Sequence, residues 1–266
     1  MTSSKENIIL SATGISIGYG KGKQQKVIAK NVSIALKKGR LTALVGANGI
    51  GKSTLLRTIT GIQKPLSGEV LFNHKNIDKY TGKELAQRLS IVLTEGLPPS
   101  NLTVYEIVAL GRQPYTNWLG ALADEDITKV KNALELTQTS HLTHRKYYEI
   151  SDGQLQKVLI ARALAQDTEL IILDEPTTHL DLLHKVSLLK LLKKLTHETG
   201  KSILYSTHDL DLALQLSDEM IVMTTDSVTQ DTPHNLTQNK VLDTIFNDKH
   251  IRFDATLGRF KFDQDI

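Results

Sequence analysis

GANGIGKS, which runs from Gly46 to Ser53, fits the pattern G-x-x-x-x-G-K-[ST] and is followed by Thr54. Its glycines let the backbone curl, so that successive N–H groups converge on phosphate oxygens. The apolar segment LTALV before it is typical of a buried strand, and STLLRTITG after it is typical of a helix. The positive end of that helix would face the same anion. The sequence therefore predicts a loop that binds a nucleoside triphosphate, and an unliganded glycine-rich turn is the weaker alternative.

Each residue of this loop is a candidate nucleotide contact. Lys52 would supply a positive charge to the β- and γ-phosphates, and the hydroxyl of Ser53 would reach a magnesium ion. The predicted nucleotide contacts are Gly46, Ala47, Asn48, Gly49, Ile50, Gly51, Lys52, Ser53 and Thr54.

Two further strand ends carry groups suited to phosphate chemistry. The apolar run LIIL ends in Asp174 and Glu175, which predicts a magnesium ligand and a base that polarises an attacking water. Solvated acids at a strand end are the alternative, and the loop upstream makes it the weaker one. His208 follows the apolar strand SILYST. A histidine there is usually structural, although it could also reach a γ-phosphate from the edge of a sheet.

Composition excludes several classes of protein. The chain has 266 residues, 40% hydrophobic, with a net charge of +3 and no cysteine. Disulfides and thiolate metal sites are therefore excluded, and the small basic surplus does not indicate a nucleic-acid partner. Its apolar runs are shorter than the roughly 20 residues that cross a bilayer. The N-terminal segment MTSSKENIIL shows no secretory signal, so we expect a cytoplasmic protein.

Strand-like and helix-like segments alternate along most of the chain. ILSATGISIGY and VIAKNVSIAL predict strands at the beginning, and SGEVLFN predicts another after the loop helix. A largely helical middle then separates the loop from ELIILDE and SILYSTHD. This alternation predicts a parallel sheet with helices on both faces, with the helical middle as an insertion. NKVLDTIFN predicts a helix in the tail.

Together, these motifs resemble the nucleotide-binding subunit of ATP-binding cassette (ABC) transporters over essentially the whole chain. The motifs stand in the family's order: Gly46–Thr54, Ser151-Asp152-Gly153-Gln154, Leu173–Thr177, His179-Leu180-Asp181 and His208. The resemblance implies an α/β fold: a P-loop NTPase (RecA-like) core with an N-terminal antiparallel β subdomain and an inserted helical subdomain. It divides this single domain into a core (1–94 and 159–227), a helical signature subdomain (95–158) and a C-terminal extension (228–266).

The resemblance also implies a homodimer in which two chains sandwich two ATP molecules. Ser151 and the N–H of Gly153 would then contact the γ-phosphate held by the other chain, while Gln154 orients the signature loop. Tyr19 would stack on adenine, and Asp181 would belong to the nucleotide site. Glu175 and His208 would be the catalytic residues. The alternatives are that Ser-Asp-Gly only caps its own helix and that Tyr19 packs in the core.

Two motifs depart from the family pattern. The signature is usually Leu-Ser-Gly-Gly-Gln, whereas this chain has Ile150 and Asp152, and we expect function to survive. Where relatives carry a glutamine that contacts magnesium, this chain has Glu95. A carboxylate would bind the metal more strongly but add negative charge beside the γ-phosphate. We therefore expect Glu95 to alter magnesium dependence or slow hydrolysis, without loss of ATP binding.

LPPSNLTVYEIVALGRQPYTNWLG is similar to a segment of importers of iron–siderophore complexes, haem or cobalamin. The resemblance implies partners: membrane permease subunits that dock near the 95–120 region, and a solute-binding protein. The subunit would then lie on the inner face of the cell membrane. Alternatively, this loop packs only on its own subdomain. A soluble ABC ATPase that acts on nucleic acid or ribosomes is the other class of function, and the single cassette and absence of cysteine disfavour it.

Overall fold

The structure is a computed structural model that describes residues 7–20, 22–93, 100–118, 120–245, 251–254 and 259–262. The chain divides into two units: Met1–Lys79 with Leu204–Ile266, and Tyr80–Ile203. The strands are β1 (Ile8–Tyr19), β2 (Lys26–Lys37), β3 (Leu41–Val45), β4 (Ser67–Phe72), β5 (Lys75–Asn76), β6 (Leu89–Val92), β7 (Leu170–Leu173), β8 (Ser202–Thr207), β9 (Glu219–Met223), β10 (Val228–Asp231), β11 (Ile251–Asp254) and β12 (Arg259–Phe262). The helices are α1 (Lys52–Ile59), α2 (Gly82–Ala86), α3 (Val104–Ala109), α4 (Asp124–Leu136), α5 (Asp152–Ala165), α6 (Leu182–Thr199), α7 (Leu210–Leu216) and α8 (Pro233–Gln238).

The first unit contains the predicted antiparallel subdomain, in the strand order β2-β1-β4-β5. Alternate residues of β1, such as Ile15 and Ile17, are fully buried, which is the period-two pattern of a half-buried strand. A second sheet in this unit has the order β10-β9-β3-β8, and β3 runs parallel to β9. All of β3 is buried, as its continuous apolar sequence predicts for a strand covered on both faces.

The second unit pairs β6 with β7 in parallel and packs α3, α4 and α5 together. A buried ion pair joins these helices: the Arg112 Nε donates to Asp126 Oδ1 at 2.8 Å, and its Nη1 donates to the Ala165 carbonyl at 2.8 Å. At Gly111 a Cβ atom would lie 2.3 Å from the carbonyl oxygen of Arg162, so only glycine fits there. The Leu-Gly-Arg sequence is therefore a packing motif of the helical region.

The structure confirms the strand–helix alternation and corrects the tail. Over NKVLDTIFN the predicted helix is wrong: in the part of this segment that the structure describes, 239–245, the chain forms a 3-10 turn, Val241–Thr244, and no α-helix. Lys240, with φ of +55°, lies in the left-handed region and separates this turn from α8, so the two cannot form one helix. Among the described residues, no helix has the length and apolarity to cross a membrane.

Candidate functional site

The loop between β3 and α1 can be built only with glycine at two positions. A Cβ at Gly46 would lie 2.5 Å from the carbonyl oxygen of Met223. Gly51 has a φ of +115°, and a Cβ there would lie 2.4 Å from Cγ2 of Ile28. Gly51 is also the N-cap of α1, and within the described chain no side chain caps this helix start. The first turn of α1 therefore presents backbone N–H groups suited to an anion.

Lys52 lies inside this loop. Its side chain is buried, and its Nζ donates to the carbonyl oxygens of Gly46 at 3.0 Å and Ala47 at 3.3 Å. Ser53 is exposed beside it. These two bonds hold the ammonium group at the loop backbone, where an incoming phosphate can replace the neutral carbonyl oxygens with anionic acceptors.

Tyr19 lies against the loop helix instead of in the core. It ends β1, its side chain is 49% exposed, and its hydroxyl accepts a hydrogen bond from Thr54 Oγ1 at 3.2 Å. This bond joins the end of β1 to the first turn of α1. The aromatic face is therefore available next to the loop, as expected for a residue that stacks on a base.

In the second unit, the end of β7 carries the predicted acidic pair. Asp174 is buried, and its N–H donates to the carbonyl of Val92 at 2.8 Å. Glu175 has a φ of +49°, and its Oε2 accepts from Thr178 Oγ1 at 3.2 Å. A non-glycine residue in this region is strained, and such strain concentrates at functional sites. The predicted metal ligand Glu95 lies outside the described residues, and β6 ends at Val92.

The signature segment forms the start of α5, where Ser151 is the N-cap. The Ser151 N–H donates to Gln154 Oε1 at 3.0 Å, and the Gln154 N–H donates to Ser151 Oγ at 3.4 Å. These two bonds form a capping box that fixes Gln154 against the helix start, and its orienting role at a nucleotide stays a prediction. The second distance is long for an N–H···O bond, so the exposed Ser151 hydroxyl keeps capacity for another partner.

Asp181 is the N-cap of α6. Its Oδ1 accepts from the backbone N–H of His184 at 2.9 Å and lies 2.8 Å from His184 Nδ1. The backbone bond from His184, followed by the side-chain bond, lowers the pKa of Asp181. The carboxylate is therefore ionised at neutral pH and acts only as an acceptor.

The other predicted catalytic residue, His208, is exposed and directly follows β8 in the first unit. Because β8 is the neighbour of β3, His208 and the Gly46–Thr54 loop follow adjacent strands of one sheet. The strand pattern was enough to predict this placement.

Within each unit, the structure brings part of the predicted set together. Tyr19 is hydrogen-bonded to Thr54 of the loop helix. His184, three residues after Asp181, lies beside the position of Gly153. Sequence reasoning missed both links; the only signal for the second was a histidine three residues after an N-cap aspartate. The described residues contain no cluster of three or more acidic or histidine side chains that could hold a metal. Magnesium would therefore take most of its ligands from phosphates and water, as it commonly does.

Comparison with known proteins identifies the family. The sequence model of the ABC transporter family matches residues 29–178. The iron(3+)-hydroxamate import ATP-binding protein FhuC of Bacillus subtilis is 43% identical over 80% of this chain and 78% of its own. The achromobactin transport ATP-binding protein CbrD of Dickeya dadantii is 38% identical over 90% of this chain and 87% of its own.

A dimeric ATP-binding cassette of an ABC transporter, solved in a post-hydrolysis state with ADP and Pi, superposes with a TM-score of 0.72 and 28% identity. The match covers 84% of this chain and 98% of that one. These likenesses confirm the α/β cassette fold predicted from the motifs. The chain belongs to the ABC transporter family and is an ATP-binding, ATP-hydrolysing subunit.

Proposed function

We propose that this ATPase powers a membrane importer of iron–siderophore complexes or of the related chelates haem and cobalamin. The observation that carries the proposal is the loop at Gly46–Thr54, with Tyr19 bonded to its helix, in a chain whose relatives serve iron(3+)-hydroxamate import and achromobactin transport. The loop indicates that the subunit uses ATP, and the relatives indicate the class of solute that is imported.

ATP binds to the first unit in this scheme. Its base stacks on Tyr19, and its phosphates accept from the N–H groups of the loop and of the first turn of α1. Lys52 exchanges the carbonyls of Gly46 and Ala47 for the β- and γ-phosphates. This exchange is favourable because the anionic phosphate oxygens attract the ammonium group by Coulomb forces that the neutral carbonyl oxygens lack.

Ser53, Asp174 and Glu95 are the proposed magnesium contacts. The ion, when bound, neutralises charge on the β- and γ-phosphates. Glu175 orients and deprotonates the attacking water, and the bond from Thr178 Oγ1 helps to orient its carboxylate. His208 holds the γ-phosphate geometry from the end of β8.

Two copies of the chain complete each ATP site. Ser151, Gly153 and Asp181 of one chain act on the ATP held by the loop of the other, which favours the closed pair. The apolar side chains of Leu182 and Leu183 are 68% and 77% exposed directly after Asp181, as expected where a second chain covers the surface. The dimeric cassette with ADP and Pi supports this arrangement.

Permease subunits and a solute-binding protein are the proposed partners, which places the subunit on the inner face of the membrane. Within the loop after α3, the Arg112 guanidinium stacks on the ring of Tyr115, with Cζ 3.9 Å from the ring centroid. The segment around Tyr115 therefore packs on its own unit. Trp118 is 90% exposed, so its side chain is available to a permease. The names of the relatives favour this class over an ATPase that acts on nucleic acid or ribosomes.

The test is to tag the protein in its own cells, solubilise the membranes gently and identify what co-purifies. We expect an equimolar complex with a polytopic permease, whose ATPase activity rises when the iron-loaded binding protein is added. Lys52→Ala should remain in the complex but lose ATP hydrolysis, because assembly does not need the phosphate contact.

Recovery only from the soluble fraction, together with ribosomes or DNA, would overturn the importer. A permease complex that responds to another solute would leave the importer in place but change its cargo class. Since the two results differ in the partner recovered, the assembly and the cargo are tested separately.

A further inference from the structure

The proposed two-chain site uses two helix starts of the second unit, those of α5 and α6. The side chain of His184 lies between them. A Cβ built on Gly153 at the start of α5 would lie 3.5 Å from Cδ2 of His184 and 3.6 Å from Cδ2 of Leu180. Leu180 directly precedes Asp181, and His184 follows it by three residues in the first turn of α6. The imidazole is therefore the group closest to the position that a side chain of residue 153 would occupy.

The opposite side of the same ring is fixed by Asp181. Because the Asp181 carboxylate only accepts hydrogen bonds, the ring nitrogen Nδ1, 2.8 Å from Oδ1, carries the proton and donates it. The backbone N–H of His184 makes a separate bond to the same oxygen, at 2.9 Å. Removing the ring therefore leaves the N-cap of α6 in place and deletes only the link between the helix starts.

We propose that His184 is a positioning residue that makes the signature loop and the Asp181 turn move as one body when two chains close on ATP. The proposal rests on the two-chain ATP site proposed above. Both segments must meet the same nucleotide, and such constellations tolerate errors of only about 0.5 Å. The ring is hydrogen-bonded to Asp181 on one side and lies beside the start of α5 on the other, within 3.5 Å of where a Cβ of Gly153 would stand, so it limits how closely the two segments can approach.

The side chains of His184 and Asp181 are 58% and 66% exposed, so a purely structural role would be small. This separates the two roles in an experiment. His184→Ala removes the ring and its bond to Asp181, and His184→Phe keeps a ring beside the start of α5 without the donor. His184→Asn keeps a donor near the position of Nδ1. His197→Ala is the matched control, because His197 is exposed in the last turn of the same helix.

Each variant is made in the Glu175→Gln background, which stalls hydrolysis, and ATP-driven pairing is measured by sedimentation. Binding of a fluorescent ATP analogue to the single chain and the thermal midpoint are measured in parallel. His184→Ala should require at least tenfold more ATP for pairing, with analogue affinity and midpoint close to the parent. His184→Asn should recover most of the pairing, His184→Phe should not, and His197→Ala should match the parent.

Pairing of His184→Ala at the parent's ATP concentration would overturn the positioning role while leaving the two-chain site intact. So would a His184→Asn variant no better than alanine, because the bond to Asp181 would then be irrelevant. A parent that binds the analogue but never pairs would overturn the two-chain site itself, and the role of His184 with it. The parent sample therefore distinguishes the two failures.

Discussion

The starts of α1 and α5 are both proposed to meet ATP phosphates, and they are built in opposite ways. The start of α1 has Gly51 at its N-cap, with no capping side chain among the described residues. The start of α5 has a capping box in which Ser151 and Gln154 bond to each other's backbone N–H. One helix start leaves its backbone donors for a ligand, whereas the other satisfies part of them internally.

The difference fits two different tasks. The loop before α1 must enclose the phosphates of its own ATP, so close approach of the backbone matters more than local stability. The start of α5 must hold its shape until a second chain arrives, and its capping box does so without that chain. The glycines of the two helix starts differ in the same way. At Gly51 a side chain would clash with the protein's own atoms, whereas Gly153 has room for one.

Gly51→Ala should have the largest effect, because it breaks the uncapped helix start. The φ of +115° and the 2.4 Å approach to Ile28 predict a loss of about 2–5 kcal/mol of unfolding free energy, the sum of backbone strain and overpacking, and no measurable ATP binding. Gly49→Ala is the control. Its φ is +76°, and apart from its chain neighbours no described heavy atom lies within 4 Å of a Cβ built there. It should cost about 1–2 kcal/mol from backbone strain alone. Chemical denaturation and ATP titration measure both, and equal losses would refute the steric argument.

Ser151→Asp tests the capped start. Aspartate is as good an N-cap as serine, so the unfolding free energy should stay within about 0.5 kcal/mol of the parent. Its carboxylate would repel a γ-phosphate, and ATP-driven pairing should fall at least about 100-fold, since like charges near 4 Å cost about 4 kcal/mol at a protein surface. Ser151→Ala, measured alongside, should weaken pairing less. If Ser151→Asp pairs normally, the hydroxyl does not meet phosphate.

Gly153→Ala should weaken ATP-driven pairing less than Ser151→Asp does, and it should not lower stability. The new methyl makes an ordinary contact of 3.5 Å with His184, and alanine favours helix by up to about 1 kcal/mol over glycine. The thermal midpoint should therefore hold or rise. Pairing should weaken roughly tenfold, which corresponds to about 1.4 kcal/mol, because a helical Cβ tilts toward the helix N-terminus and would crowd a phosphate that approaches this N–H. A loss of stability would show instead that this glycine serves its own chain, as Gly51 does.

Sequence was sufficient for the loop at Gly46–Ser53 because spacing and residue type there determine the backbone. The antiparallel beginning and the acidic pair after β7 were also predictable, since period-two and continuous apolar patterns mark half-buried and buried strands. The tail failed because NKVLDTIFN looks helical locally, and nothing in the sequence indicates that Lys240 adopts a positive φ.

Contacts between side chains distant in sequence could not be predicted. The Leu-Gly-Arg segment was interpreted through a permease, yet Gly111 and Arg112 serve the packing of α3, α4 and α5. The bond from Thr54 to Tyr19, and the approach of His184 to Gly153, likewise depend on tertiary packing. A motif fixes which residues are used, and packing decides what holds them.

Tyr19→Phe should have the smallest effect and refine the picture of the α1 start. The change removes the 3.2 Å bond from Thr54 but keeps the aromatic face, so we expect a loss of about 0.5–1 kcal/mol in unfolding free energy. ATP affinity should change little, because stacking needs only the ring. Tyr19→Ala should weaken ATP binding by about 1–3 kcal/mol, the usual value of base–aromatic stacking. Calorimetric titration of both variants separates the two roles. If Tyr19→Phe weakens ATP binding as much as Tyr19→Ala, the hydroxyl matters because it positions the first turn of α1, and the uncapped start depends on β1 for its geometry.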